Sequence, residues 1–118
     1  MTLDQIIAVL DGAFLTQQNH HQLDVKTGCG CDLMSDVLAF IKQDALLLTG
    51  LTNTQVIRTA EMADVKAICF VRGKRPGHEV IALAEEKDIA LLATTLPLFE
   101  ACSRLSRNGL AGCSEYES

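Results

Sequence analysis

The 118-residue chain contains no tryptophan, a single tyrosine and four phenylalanines, so aromatic side chains make up only 4% of it. Hydrophobic residues nevertheless reach 48%, and the core must therefore be built from Ala, Val, Ile and Leu. Such a core suits helices packed closely on a parallel sheet whose strands are covered on both faces. Positive charge is scarce as well. Ten Lys and Arg stand against fifteen Asp and Glu, a formal net charge of −5. That balance argues against nucleic-acid binding, which needs a concentrated positive field. No apolar run approaches the roughly 20 residues needed to span a bilayer, and the N-terminus lacks the basic and apolar regions of a secretory signal. No membrane association and a cytoplasmic location are expected. Five cysteines, an odd number, are expected to be reduced there rather than paired.

Recognisable catalytic patterns are missing too. The chain carries no phosphate loop of the Walker type and no glycine fingerprint for dinucleotides. No nucleophile, histidine and acid follow one another at a distinctive spacing. Glu85, Glu86 and Asp88 read as a solvated helix end, and Ser35 as a helix cap. The expectation is that the protein is not an enzyme.

What is present is a regular alternation of short apolar runs and amphipathic segments in one domain. Thr2-Leu3-Asp4-Gln5 matches a capping box, followed by Leu3, Ile6, Ile7 and Leu10 at the spacing of one helical face, with Gly12 as the stop. Ala13-Phe14-Leu15 is a short apolar piece before a polar loop, Thr16 to Gln22. Val25 to Cys31 reads as a strand, and Asp32 or Ser35 as the cap of a helix carrying Leu33, Val37, Leu38 and Ile41. Further strands are expected at Ala45 to Leu48, Ala67 to Val71 and Ile89 to Ala93. Thr52-Asn53-Thr54-Gln55 looks like a second capping box. Pro76 can open the helix of Val80, Ile81, Leu83 and Ala84, and Thr95 with Pro97 the helix of Leu98, Phe99, Cys102 and Leu105, with Gly109 as its stop. The expected fold is α/β: alternating βα units forming a largely parallel sheet flanked by helices. Residues 1–110 are expected to form the domain and residues 111–118 a flexible tail.

This order has a functional consequence. Every turn leaving a parallel strand for its helix lies at one edge of the sheet, where ligands bind in open α/β folds. Gly28 to Asp32, Thr49 to Asn53, Arg72 to Gly77 and Thr94 to Thr95 should converge there, beside helix N-termini that favour anions. Candidate ligand-binding residues are Gly50, Thr52, Asn53, Arg72, Gly73, Lys74, Arg75, Thr94 and Thr95. Arg72, Lys74 and Arg75 cluster in an otherwise acidic chain, beside glycines that expose backbone N–H groups. Arginine can grip phosphate or carboxylate through paired donors, with lysine as a point charge.

Cys29 and Cys31, in Gly28-Cys29-Gly30-Cys31-Asp32, form a C-x-C pair. Two thiolates can contribute to an iron or zinc site, although a closed site usually takes about four ligands. No metal is expected in the leading reading, and Cys29 and Cys31 are the ligands in the alternative. Cys69 and Cys102 read as small core residues, while Cys113 could approach only if the tail folded back. Cys31, near a helix N-terminus, is the better redox candidate of the pair.

The run LLLTGLTNTQVIRTAEMADVKAICFVRGKRPGHEVIALAEEKDIALLATTLPLFEACSRL, preceded by GCGCDLMSDVLAF, resembles the DRTGG domain family, which is similar to the N-terminal domain of HPr kinase. The family's Gly-Asp-Arg segment is matched by Gly50-Leu51-Thr52 and its Thr-Gly-Gly segment by Val71-Arg72-Gly73. Gly50, Gly73 and Pro76 preserve the turns, while the eponymous charged pair is replaced. The resemblance implies a non-catalytic regulatory or scaffold module, homodimeric, of the kind appended to phosphotransacetylases or joined to CBS domains in regulated pyrophosphatases. No cofactor is expected; the alternative the resemblance implies is an adenine nucleotide or other phosphate anion, ahead of iron or zinc. Stand-alone versions accompany iron-hydrogenase and sensor-kinase genes, which implies a protein partner of that kind. The alternative is a metal- or redox-binding protein linked to hydrogenase function through Cys29 and Cys31.

Overall fold

A computed structural model describes residues 1–114. The chain begins with helix α1 (Leu3–Leu10) and a two-residue strand β1 (Ala13–Phe14). Four strand–helix units follow: β2 (Thr27–Gly30) with α2 (Met34–Phe40), β3 (Ala45–Thr49) with α3 (Thr54–Met62), β4 (Ala67–Phe70) with α4 (His78–Glu86), and β5 (Ala90–Ala93) with α5 (Leu98–Arg107). A last short strand, β6, spans Ala111–Gly112. The six strands form one sheet in the order β1-β5-β4-β3-β2-β6. All neighbours are parallel except β1, which runs antiparallel to β5. The α/β architecture expected from the alternating pattern is therefore the one observed.

β3, β4 and β5 are buried along their whole lengths, as continuous apolar runs covered on both faces should be. Alternate side chains divide between two cores. Leu46, Leu48, Cys69 and Leu92 meet Leu3, Ile6 and Leu10 of α1 and Ala101 and Leu105 of α5. Leu47, Ile68, Phe70 and Leu91 meet Met34 and Val37 of α2, Val56, Ile57 and Ala60 of α3, and Val80 and Ala84 of α4. Helices α2, α3 and α4 thus share one face, and α1 and α5 the other.

The Thr2 and Gln5 capping box forms as expected, and Gly109 follows α5 at φ 102°. Other ends differ from the sequence reading. Asp11, at φ 51°, is the left-handed residue closing α1, in place of Gly12. Gly12 is needed for another reason: a Cβ there would lie 2.7 Å from the Ala93 carbonyl oxygen across the β1–β5 pairing. Leu33, with no side-chain hydrogen bond, occupies the N-cap of α2 in place of Asp32 or Ser35. Asn53 rather than Thr52 caps α3, accepting from the Val56 amide. Gly77 and Pro97 hold the N-cap positions of α4 and α5, so Pro76 lies just outside its helix and Thr95 is not the cap of α5. Of the expected tail, Ala111 and Gly112 pair with Thr27 and Gly28, and residues 115–118 lie outside the described residues.

Candidate ligand site at the strand ends

The carboxyl ends of β2, β3, β4 and β5 all open on one edge of the sheet, because these strands are parallel neighbours. The turns after β2, β3 and β4 lead to helices on one face, and the turn after β5 leads to α5 on the other. The connections therefore diverge between β4 and β5, the place where open α/β sheets form a ligand crevice.

Val71 to Lys74 build a tight turn there, with the Lys74 amide donating to the Val71 carbonyl at 3.1 Å. Both central residues are left-handed, Arg72 at φ 59° and Gly73 at φ 69°. Glycine adopts this conformation freely, whereas Arg72 does so at a cost of about 1–2 kcal/mol. Tertiary bonds hold it in place: the Arg72 amide donates to the Leu96 carbonyl at 2.8 Å and the Gly73 amide to the Thr94 carbonyl at 2.9 Å. These two N–H groups stitch the β4 and β5 turns together, so they do not present the free anion cradle that the glycines suggested. Arg72, Lys74 and Arg75 are all exposed, and among the described residues none of them forms an ion pair.

A hollow of about 170 Å³ lies beside this turn, lined by Asp11, Gly12, Ala13, Gly73, Arg75, Ala93, Thr94 and Thr95. Gly73, Arg75, Thr94 and Thr95 of the expected set are thus brought together. The Thr94 hydroxyl is already engaged, donating to the Leu10 carbonyl at 2.8 Å and accepting from the Leu96 amide at 3.2 Å. Thr95 is exposed on the rim. Asp11 and Gly12, absent from the sequence-derived set, complete the wall. An Asp-Gly pair at a helix end is a turn signal, but nothing local tells that this turn packs against β5.

Gly50, Thr52 and Asn53 do not line the hollow; they sit farther along the same edge, on the β3–α3 turn. Asp32 reaches across to that turn and accepts from the Thr49 hydroxyl at 2.7 Å and the Gly50 amide at 2.8 Å. Its carboxylate clamps the β2 and β3 turns together. The Asn53 side chain is occupied as the cap of α3. At α4, the Glu79 carboxylate stands 3.1 Å from where a Gly77 Cβ would be, placing a negative charge against that helix N-terminus.

The thiols divide along β2. Cys29 and Cys31 pack against the α2–α4 core, while a Cβ on Gly30, on the opposite face, would lie 2.8 Å from the Cys102 sulfur. Burial, followed by the neighbouring thiols of Cys113 and Cys31, pushes the Cys29 thiol up from 9.0 to about 12. Cys69, inside β4, is likewise pushed to about 12 by burial, with Cys102 adding to the rise. Burial also raises the Cys102 thiol. The Cys31 thiol donates to the Leu33 carbonyl at 3.4 Å. Among the described residues, no group of three or more Cys, His, Asp or Glu side chains is arranged to hold a metal ion.

These features define a mostly parallel α/β module with a small hollow at its strand ends. The model of the DRTGG domain matches residues 5–108, and the chain belongs to that family. Among solved structures the chain is similar to the CBS and DRTGG domains of the regulatory region of Clostridium perfringens pyrophosphatase, complexed with its activator diadenosine tetraphosphate. That similarity has a TM-score of 0.69 at 17% identity, over 99% of this chain and 50% of the other, so this chain spans about half the length of that regulatory region. At this identity the likeness establishes the fold. No curated protein matches the chain.

Proposed function

We propose that the chain is a non-catalytic regulatory domain that senses an adenine nucleotide or a related phosphate anion in the hollow between the α1–β1 turn and the joined β4–α4 and β5–α5 turns. The observation that carries this reading is the divergence of the connections at β4 and β5, with Arg75 lining a hollow at that point. Membership of the DRTGG family and the likeness to a regulatory region crystallised with diadenosine tetraphosphate support it. A volume of about 170 Å³ falls below the roughly 300–1,000 Å³ of whole-ligand pockets. One phosphoryl group fits the hollow, while the remainder of a nucleotide extends along the open edge toward Gly50, Thr52 and Asn53. Arg75 supplies paired donors to phosphate oxygens, Arg72 and Lys74 add positive field, Gly73 lets the ligand approach the backbone, and Thr95 offers a hydroxyl. Asp11 can accept from a ribose hydroxyl.

In the same reading, the expected domain of residues 1–110, extended by Ala111 and Gly112 of β6, is one regulatory domain acting in the cytoplasm, and the chain pairs with a second copy. The exposed Leu33, Leu38 and Phe40 side chains, which cluster at α2, support an apolar interface. A hydrogenase or sensor-kinase component is the partner class carried from the family resemblance. The metal reading of Cys29 and Cys31 finds no ligand set among the described residues to extend it.

Isothermal titration with AMP, ADP, ATP, diadenosine polyphosphates and inorganic phosphate tests the ligand. Saturable binding is expected for at least one adenine nucleotide, weakened at least tenfold by the double substitution Arg72→Ala, Arg75→Ala. A silent panel, or unchanged affinity in a folded double variant, would overturn the proposal.

A further inference from the structure

The chain returns to the edge of the sheet after α5, and there it sets two cysteines side by side. Thr27 pairs with Ala111 and Gly28 with Gly112 in the parallel β2–β6 ladder; Cys29 and Cys113 follow just beyond its end, Cys113 in the turn after β6, with the two thiols close enough to hydrogen-bond. Side chains alternate along β2, which puts Thr27 and Cys29 on one face. The Cys113 sulfur lies 3.6 Å from the Thr27 hydroxyl, on that same face, and 3.6 Å from the Gly28 carbonyl. Neighbouring strands stand about 4.8 Å apart, within the roughly 4.4–6.8 Å between Cα atoms that a disulfide bridges. Both cysteines also line one open hollow of about 480 Å³, together with Phe40 and Lys42, which gives a small molecule access to them.

We propose that Cys29 and Cys113 are a reversible disulfide site that staples β6 to β2, formed by exchange with a low-molecular-weight disulfide. In the first step the Cys113 thiolate attacks one sulfur of that disulfide, forming a mixed disulfide and expelling the first small thiolate. The Cys29 thiolate then attacks the Cys113 sulfur, and the second small thiolate leaves. The protein gives up two electrons and two protons, and the small disulfide is reduced to two thiols that take up those protons. Burial holds the proton on Cys29 and so assigns it the second, intramolecular step, where proximity compensates for a low thiolate fraction.

The test uses the full chain, reduced and then equilibrated with mixtures of oxidised and reduced glutathione, followed by tryptic peptide mapping. A peptide pair joining residues 27–42 to 108–118 is expected, reversed by excess reduced glutathione. It should persist in Cys31→Ser and disappear in Cys29→Ser. Fragment ions of the wild-type joined pair place the bond on Cys29 or Cys31 without any substitution, so the test stands even if one variant does not fold. A bond at least tenfold more abundant at Cys29 than at Cys31 supports the site. Cys113 recovered as free thiol or as a stable glutathione adduct, or a bond on Cys31, would overturn it.

Discussion

Cys29 and Cys69 hold their protons far beyond the ordinary thiol range, to about 12 against 9.0, chiefly because burial disfavours the thiolate. A folded-state pKa raised above the unfolded one contributes stability that is complete below pH 9 and is lost as pH climbs toward 12. Urea unfolding followed across that range should show stability falling in the wild type. Cys69→Ala, weaker at neutral pH because of the cavity it leaves, should show a flatter decline, and an identical slope in the two proteins would contradict this account. Cys69 was legible as a core residue because it stands inside an apolar run. Asp32 was not: an acidic residue before a helix reads as a cap, and its bonds to Thr49 and Gly50 depend on a strand that lies beside it only in the folded protein. Thr94 is a similar case, its hydroxyl spent on the end of α1.

Among the elements, β3, β4 and β5 were visible as apolar runs and the helices by their periodicity, since burial on both faces or on one stripe leaves a pattern in the chain itself. The two edge strands left little: Ala13-Phe14-Leu15 showed only as a short apolar piece, and Ala111-Gly112 fell in the expected tail. β1 and β6 have two residues each and exist through pairing with β5 and β2, contacts that bridge distant parts of the sequence. Gly12 makes the β1–β5 approach possible, because a Cβ would stand 2.7 Å from a backbone oxygen that cannot swing aside. Gly12→Ala should therefore cost about 1–3 kcal/mol, measured by denaturant unfolding. Gly73→Ala meets no atom within 4 Å and carries only the strain of φ 69°, about 1–2 kcal/mol. Unchanged stability in Gly12→Ala would argue against a steric origin there.

For the molecule as a whole, the convergence of four strand-end turns was legible because parallel topology demands it, whereas their division into two parts was not. The β2 and β3 turns are tied by Asp32, and the β4 and β5 turns by the Arg72 and Gly73 amides. The hollow beside the second pair takes one wall from Asp11 and Gly12, a contribution that follows from the antiparallel docking of β1. The most direct measurement is an amide chemical-shift map of the isotope-labelled protein titrated with an adenine nucleotide. Perturbations should centre on Gly73, Arg75 and Thr95, with Asp11 and Gly12 following across the hollow. Shifts confined to the Cys29–Cys31 segment or to α2, or no shifts at saturating nucleotide, would contradict a sensing site beside the joined β4 and β5 turns.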